Sequence, residues 1–169
     1  MLMLNAFTGF GASSAASASA ALYSGGTNIG DFSAGGGLTA GFDGNTAQTP
    51  AAGARKTGNS TGYIGKNHGS SVYKLSSAKV YPCTASGDPA GFANDGTTFT
   101  LTLYGKATAP ASATDGTSLG TTGSISIAAA LQTITSSDTT TAYQYFWVAF
   151  TGGAGGGSFY CSEVEFYVL

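Results

Sequence analysis

Residues 97–104 read Thr-Thr-Phe-Thr-Leu-Thr-Leu-Tyr and alternate without a break. Phe99, Leu101 and Leu103 fall on one side, Thr98, Thr100 and Thr102 on the other. Period two places successive side chains on opposite faces of a strand, so this stretch is a half-buried antiparallel β-strand. Residues 143–150, Tyr-Gln-Tyr-Phe-Trp-Val-Ala-Phe, are apolar on both faces, the pattern of a central strand. Further strands are expected over 71–81, as one long or two short pieces, over a short stretch at 124–127, and over 159–169 as the last strand.

Turn signals separate these runs: Asp-Gly-Asn at 43–45, Ser-Gly-Asp-Pro at 86–89, Asn-Asp-Gly at 94–96, Thr-Asp-Gly at 114–116 and a glycine run at 152–157. Glycine takes positive φ at little cost, and Asx side chains bond their own backbone. Beyond residue 22 no helical period lasts more than about two turns. Many short strands at short spacing make an all-β domain, a sandwich or jelly roll. The 169 residues suit one such domain.

Before it lies a segment of different character. Met1, Leu2, Leu4, Phe7 and Phe10 form an apolar hook, followed by an Ala/Ser run to Ala21. The chain divides into an N-terminal docking arm, 1–25, and a β domain, 26–169. The first cation is Arg55, so the basic start of a secretory signal is missing and no signal peptide is expected.

Charge removes several functions. Six Lys+Arg spread along the chain do not make the basic surface that grips phosphates, so no nucleic-acid partner is expected. No uncharged apolar run reaches membrane-spanning length, so no membrane insertion is expected either. The charged fraction is only 8%. So neutral a surface suits life inside an assembly. Cys83 and Cys161 are too few for a disulfide framework. They read as buried thiols, or as one bridge if their strands are neighbours. His68, the single histidine, reads as a surface or sheet-end residue without the partners of a catalytic triad. Glu163 and Glu165 are two apart on one strand and do not flank a cleft, and the 152–157 loop has no lysine, so no enzyme is expected. Trp147 has apolar neighbours and reads as core.

Read in order, seven segments are similar to the discoidin family, also called coagulation factor 5/8 type C domains. They are Phe42 to Asn45, Tyr63 to Gly65, Ala78 to Pro82, Phe99 to Gly105, Asp115 to Gly120, Tyr143 to Val148 and Ser162 to Tyr167. The resemblance covers about residues 28–169. It implies an eight-stranded antiparallel jelly roll of the galactose-binding-like kind, with binding loops at one end. It also implies a structural Ca²⁺ held by Asp43, Asn45 and Glu163. Hard oxygens of this type suit Ca²⁺; the alternative is that Asp43 and Asn45 cap a turn and Glu163 is a solvated strand residue. Loops near 53–62 belong to the ligand face in the resembled family. This points to Arg55, Lys56, Asn59 and Tyr63 for sugar hydroxyls and ring stacking, against an ordinary solvated loop. The chain departs from the pattern after Ile64-Gly65, where Lys66-Asn67-His68 replaces an acidic residue.

Two functions follow. The first is a non-enzymatic virion protein, a decoration or structural protein of a phage capsid or tail, assembled in a host cytoplasm. Its arm would dock onto other virion proteins, its copies would form a homo-oligomer, and its jelly roll would display a glycan-binding face. The second is a stand-alone carbohydrate-binding module or lectin.

Overall fold

A computed structural model describes residues 18–58, 61–84, 90–94, 98–128, 130–152 and 157–169. The arm residues Met1, Leu2, Leu4, Phe7 and Phe10, and Asn59, lie outside the described residues. The strands are β1 (Ala21–Tyr23), β2 (Thr27–Gly30), β3 (Ala34–Gly35), β4 (Ala54–Thr57), β5 (Thr61–Asn67), β6 (Tyr73–Tyr81), β7 (Thr98–Lys106), β8 (Thr117–Ser126), β9 (Gln132–Thr135), β10 (Ala142–Tyr143), β11 (Tyr145–Thr151), β12 (Ser158–Cys161) and β13 (Glu163–Val168). One turn of helix, α1 (Gly37–Ala40), is the helical element among the described residues. No described helix is long and apolar enough to cross a membrane.

Three antiparallel sheets result. The first runs β1-β13-β6-β10, with β9 also on β6; the second runs β2-β5-β11-β7-β8; the third is β12-β4-β3. The segments outnumber the eight expected strands because short pieces such as β1, β3 and β10 flank the long ones. β1 comes from the expected arm, yet it pairs along β13, Ala21 to Val168 through Tyr23 to Phe166.

The core fills the space between the two large sheets. Leu75, Ala78, Val80, Val164 and Phe166 come from the first; Ile64, Leu101, Leu103, Phe146, Val148 and Phe150 come from the second. Phe99 and Phe150 stack at 6.1 Å with planes 3° apart. Each such side chain contributes roughly 1.5–3 kcal/mol by leaving water. The alternation of 97–104 is realised in β7, where Phe99, Leu101 and Leu103 are buried. β11 is central, paired to β5 and β7. Its outward Trp147 is covered too, because the 107–116 segment folds over it and Ala113 O accepts the indole N–H at 2.6 Å.

Two expectations need correction. The strand at 124–127 is the tail of ten-residue β8, whose side chains are mostly Thr, Ser and Gly and give little apolar contrast. The last strand is two strands in different sheets. Ser162 breaks it: it is fully buried, its one hydroxyl proton has Pro82 O at 2.9 Å and Thr46 O at 3.0 Å as acceptors, and its N–H donates to Tyr81 O. The chain crosses from the third sheet to the first at that point.

Candidate ligand site

The Phe42–Asn45 loop is a turn built from its own side chains. Gly44 has φ +81°, a conformation other residues rarely adopt. The N–H of Asn45 donates to Asp43 Oδ1 at 2.9 Å, and that of Ala47 to Asn45 Oδ1 at 3.1 Å. Gln48 Nε2 donates to Asp43 Oδ2 at 2.6 Å. The loop is then tied to β13, where Glu163 Oε2 accepts the N–H of Gly44 at 2.9 Å. Glu163 is 5% exposed, so it is no solvated strand residue. Burial first, and the charge of Asp43 in addition, push its carboxyl up to about 7.

Lys66 enters from β5. Alternation sends it inward two residues after buried Ile64, and it is 7% exposed. Its Nζ donates to Asn28 Oδ1 at 2.7 Å and lies 4.0 Å from the centroid of the Phe42 ring. Burial lowers the pKa of its ammonium, and Glu163 opposes that shift. Lys66, Asp43, Gly44, Glu163 and Glu165 share a cavity of about 290 Å³ with Tyr23 and Phe42. That size is near the lower end of the roughly 300–1,000 Å³ found for small-ligand sites and suits one small ring.

The structure brings Asp43 and Glu163 together but not Asn45, which is exposed and spends its carbonyl on Ala47. The expected calcium set therefore does not fit. Ca²⁺ takes six to eight oxygens. Both oxygens of Asp43 already accept protein donors, Glu163 accepts Gly44, and a lysine ammonium faces the same cavity. Gln48 Oε1 is the buried oxygen here left without a partner. Among the described residues no three His, Cys, Asp or Glu side chains gather as a metal set.

Of the expected ligand quartet, Asn59 lies outside the described residues, Lys56 and Tyr63 both meet Asp31, and Arg55 is turned away from Lys56. Arg55 and Lys56 are neighbours on β4 and so point to opposite faces. Arg55 Nε–H donates to Ser158 Oγ at 3.2 Å. Lys56 pairs with Asp31 at 3.2 Å, and Asp31 Oδ1 accepts the N–H of Tyr63 at 2.8 Å. The Tyr63 ring leans on Trp147, with centroids 6.3 Å apart.

His68 is not a surface residue. It follows β5 and is enclosed by Tyr23, Tyr73 and Phe146, the last at 4.0 Å. Burial, and then Lys66, lower its pKa to about 4. Neither ring nitrogen has a hydrogen-bond partner, so no carboxylate orients it as a base. Cys83 and Cys161 are free, buried thiols. Sequence reasoning missed Gln48 and Lys66 as parts of this site.

No protein-family model matches the chain, and no curated protein matches it by sequence. Solved structures do match by shape. A chitosan-binding module of a chitosanase/glucanase from Paenibacillus sp. IK-5 has TM-score 0.56 and 18% identity, over 84% of this chain and 94% of that one. A fucolectin from striped bass (Morone saxatilis) serum has TM-score 0.58 and 14% identity, over 83% of this chain and 45% of that one. The lectin domain of lectinolysin, solved with Lewis B antigen, has TM-score 0.56 and 14% identity, over 84% and 92%. The fold is thus an antiparallel β-sandwich similar to those of these carbohydrate-binding modules and lectins.

Proposed function

We propose that this protein is a non-catalytic carbohydrate-binding domain whose ligand enters the cavity between β1, the 42–44 loop and the start of β13. The observation that carries this reading is the lining of that cavity: Lys66, Glu163 and Glu165 beside the rings of Tyr23 and Phe42, on a fold built like those of known sugar binders. Ammonium and carboxylate groups donate to and accept from neighbouring hydroxyls of a sugar, while aromatic rings meet its C–H faces. The role is binding, since the titratable groups here lack a nucleophile-and-base arrangement. The virion reading rests on the arm and the low charge, and the stand-alone module is the better supported of the two.

The test is a glycan array probed with the purified chain and with a Ser24→Trp variant. Ser24 is exposed and lines the cavity, so an indole there obstructs it. Glycan binding by the native chain, lost in a variant with an unchanged unfolding midpoint, is the expected result. Binding that survives the obstruction would move the site elsewhere, and an array with no signal would remove the sugar-binding reading.

A further inference from the structure

Val164 and Phe166 of β13 are buried in the core, so alternation turns Glu163, Glu165 and Tyr167 to the outer face of the first sheet. Register sets Tyr81 opposite Glu163, Lys79 opposite Glu165, and Leu22 opposite Tyr167. Glu163 lies under the loop that carries Gly44. The rest of this strip is open: Lys79, Tyr81, Glu165 and Tyr167 are half-buried, and Leu22 is 54% exposed. The polar side chains hold one another. Glu165 Oε2 accepts the Tyr167 hydroxyl at 2.8 Å and the Tyr81 hydroxyl at 3.1 Å. Lys79 Nζ donates to the Tyr167 oxygen at 3.1 Å and stands 4.7 Å from the centroid of its ring. Pairs this exposed add little to stability. What the network does is fix long, rotamer-rich side chains in one arrangement, which lowers the cost of ordering them around a ligand.

We propose that the site takes a linear, uncharged polysaccharide, with one unit in the cavity and the next ones lying along β13 over Glu165 to Tyr167 and Tyr81. The inference rests on the reading that the cavity binds sugar. Its geometric basis is continuity: Glu165 and Leu22 belong to the outer strip and also line the cavity. From Glu163 to Tyr167 the strip runs about 13 Å, at 3.3–3.4 Å per strand residue, which is longer than one sugar ring. A straight strip on a sheet suits an extended, β-linked chain. The chemistry suits hydroxyls. A carboxylate accepts at both oxygens, an ammonium has three donors, and a phenol ring meets C–H faces. Glu165 and Lys79 stand opposite each other with opposite charge, so the strip favours neither an acidic nor a basic chain.

The test compares chain lengths. Galactose, glucose and N-acetylglucosamine, and the linear β-linked tetramer of each, are titrated calorimetrically into the native chain, Tyr81→Ala and Lys79→Ala. Neither Tyr81 nor Lys79 lines the cavity, so the monomer that binds should bind all three proteins alike. Its tetramer is expected to bind the native chain about tenfold or more tightly, the gain from one further hydrogen bond to a charged group. Both variants should lose that gain. A tetramer that binds the native chain no better than its monomer would overturn the proposal, and so would a gain that survives in both variants. Folded variants that lose monomer and tetramer affinity together would also overturn it, because the side chains would then only support the cavity. If Tyr81→Ala does not fold, Lys79→Ala and the native chain still decide. Silence of every probe, with another glycan binding on the array, would sink the chain-binding inference alone. An array with no signal would remove the sugar-binding reading as well.

Discussion

The amide of Gly44 donates to the carboxylate of Glu163 at 2.9 Å, joining positions 119 residues apart. This bond fixes the loop that frames the cavity to the strand that forms its floor. Glu163→Ala removes the acceptor and leaves a partly buried amide unsatisfied, a loss of roughly 1–3 kcal/mol. Glu163→Gln keeps an oxygen in place and should lose less. Urea unfolding of the two variants checks the order, and equal losses would show that the acceptor is not what holds the loop.

Acid stability follows from His68 and Glu163, and the two oppose each other. His68 titrates near 4 in the folded chain and near 6.5 unfolded, so the unfolded state binds the extra proton between those values. Stability from this group rises with pH from about 4 to 6.5. Glu163 titrates near 7 folded against an ordinary 4.5, so the folded state binds the extra proton, and its contribution falls between those values. The slopes cancel from about 4.5 to 6.5, giving a flat profile. His68→Phe, which suits the aromatic enclosure, should expose the falling slope, with roughly 2–3 kcal/mol lost between pH 4.5 and 7. A variant whose urea midpoint stays flat over that window would refute the pairing.

The outward face of the second sheet makes a separate prediction. Trp147 is fully buried under the 107–116 segment, its indole N–H donating to Ala113 O and its ring stacked on Tyr104 with centroids 5.5 Å apart. Gly116 lies against the same indole, where an added Cβ would come within 2.6 Å. Trp147→Phe removes the donor and leaves a gap, a cost of about 2–4 kcal/mol. Hydrogen exchange should show lost protection concentrated in 107–116. A loss spread evenly over the chain would mean that this ring supports the whole sheet and not the segment.

These elements were not equally visible in the sequence. β7 was legible because Phe and Leu alternate with Thr, and β11 because both its faces are apolar. β8 was not, since Leu119 is its one fully buried apolar side chain in a run of Thr, Ser and Gly. The crossing at Ser162 depends on acceptors some eighty and more residues away, which no local pattern displays. At the site, the pairing of Asp43 with Glu163 came through the family resemblance. Lys66 had a readable signal: it stands two residues from Ile64 on a strand, so both face inward. The same rule separates Arg55 from Lys56, whose adjacency in sequence puts them on opposite faces. Gln48 carried no signal, because a glutamine in a turn reads as solvated until the fold encloses it.

The cysteines supply the last prediction. Burial pushes the Cys83 thiol up to about 12, and Cys161, deeper still, is also held well above the ordinary thiol range. The thiolate is the reactive form, so both should be inert in the folded state. Packing around them is tight at Gly53, where an added Cβ would lie 2.7 Å from Cys161 O and 2.9 Å from Cys83 Sγ. The backbone oxygen has little room to move, so Gly53→Ala should force the third sheet away from the segment carrying Cys83. A thiol reagent should therefore titrate both cysteines at once in urea. In buffer it should react with the native chain at least about a hundredfold more slowly, at the rate set by local opening. Gly53→Ala should shorten that protection before it lowers the global unfolding free energy by more than about 2 kcal/mol. Native cysteines that react as fast as a free thiol would contradict the burial, and a Gly53→Ala chain with undiminished protection would show that the contact at Gly53 does not seal them.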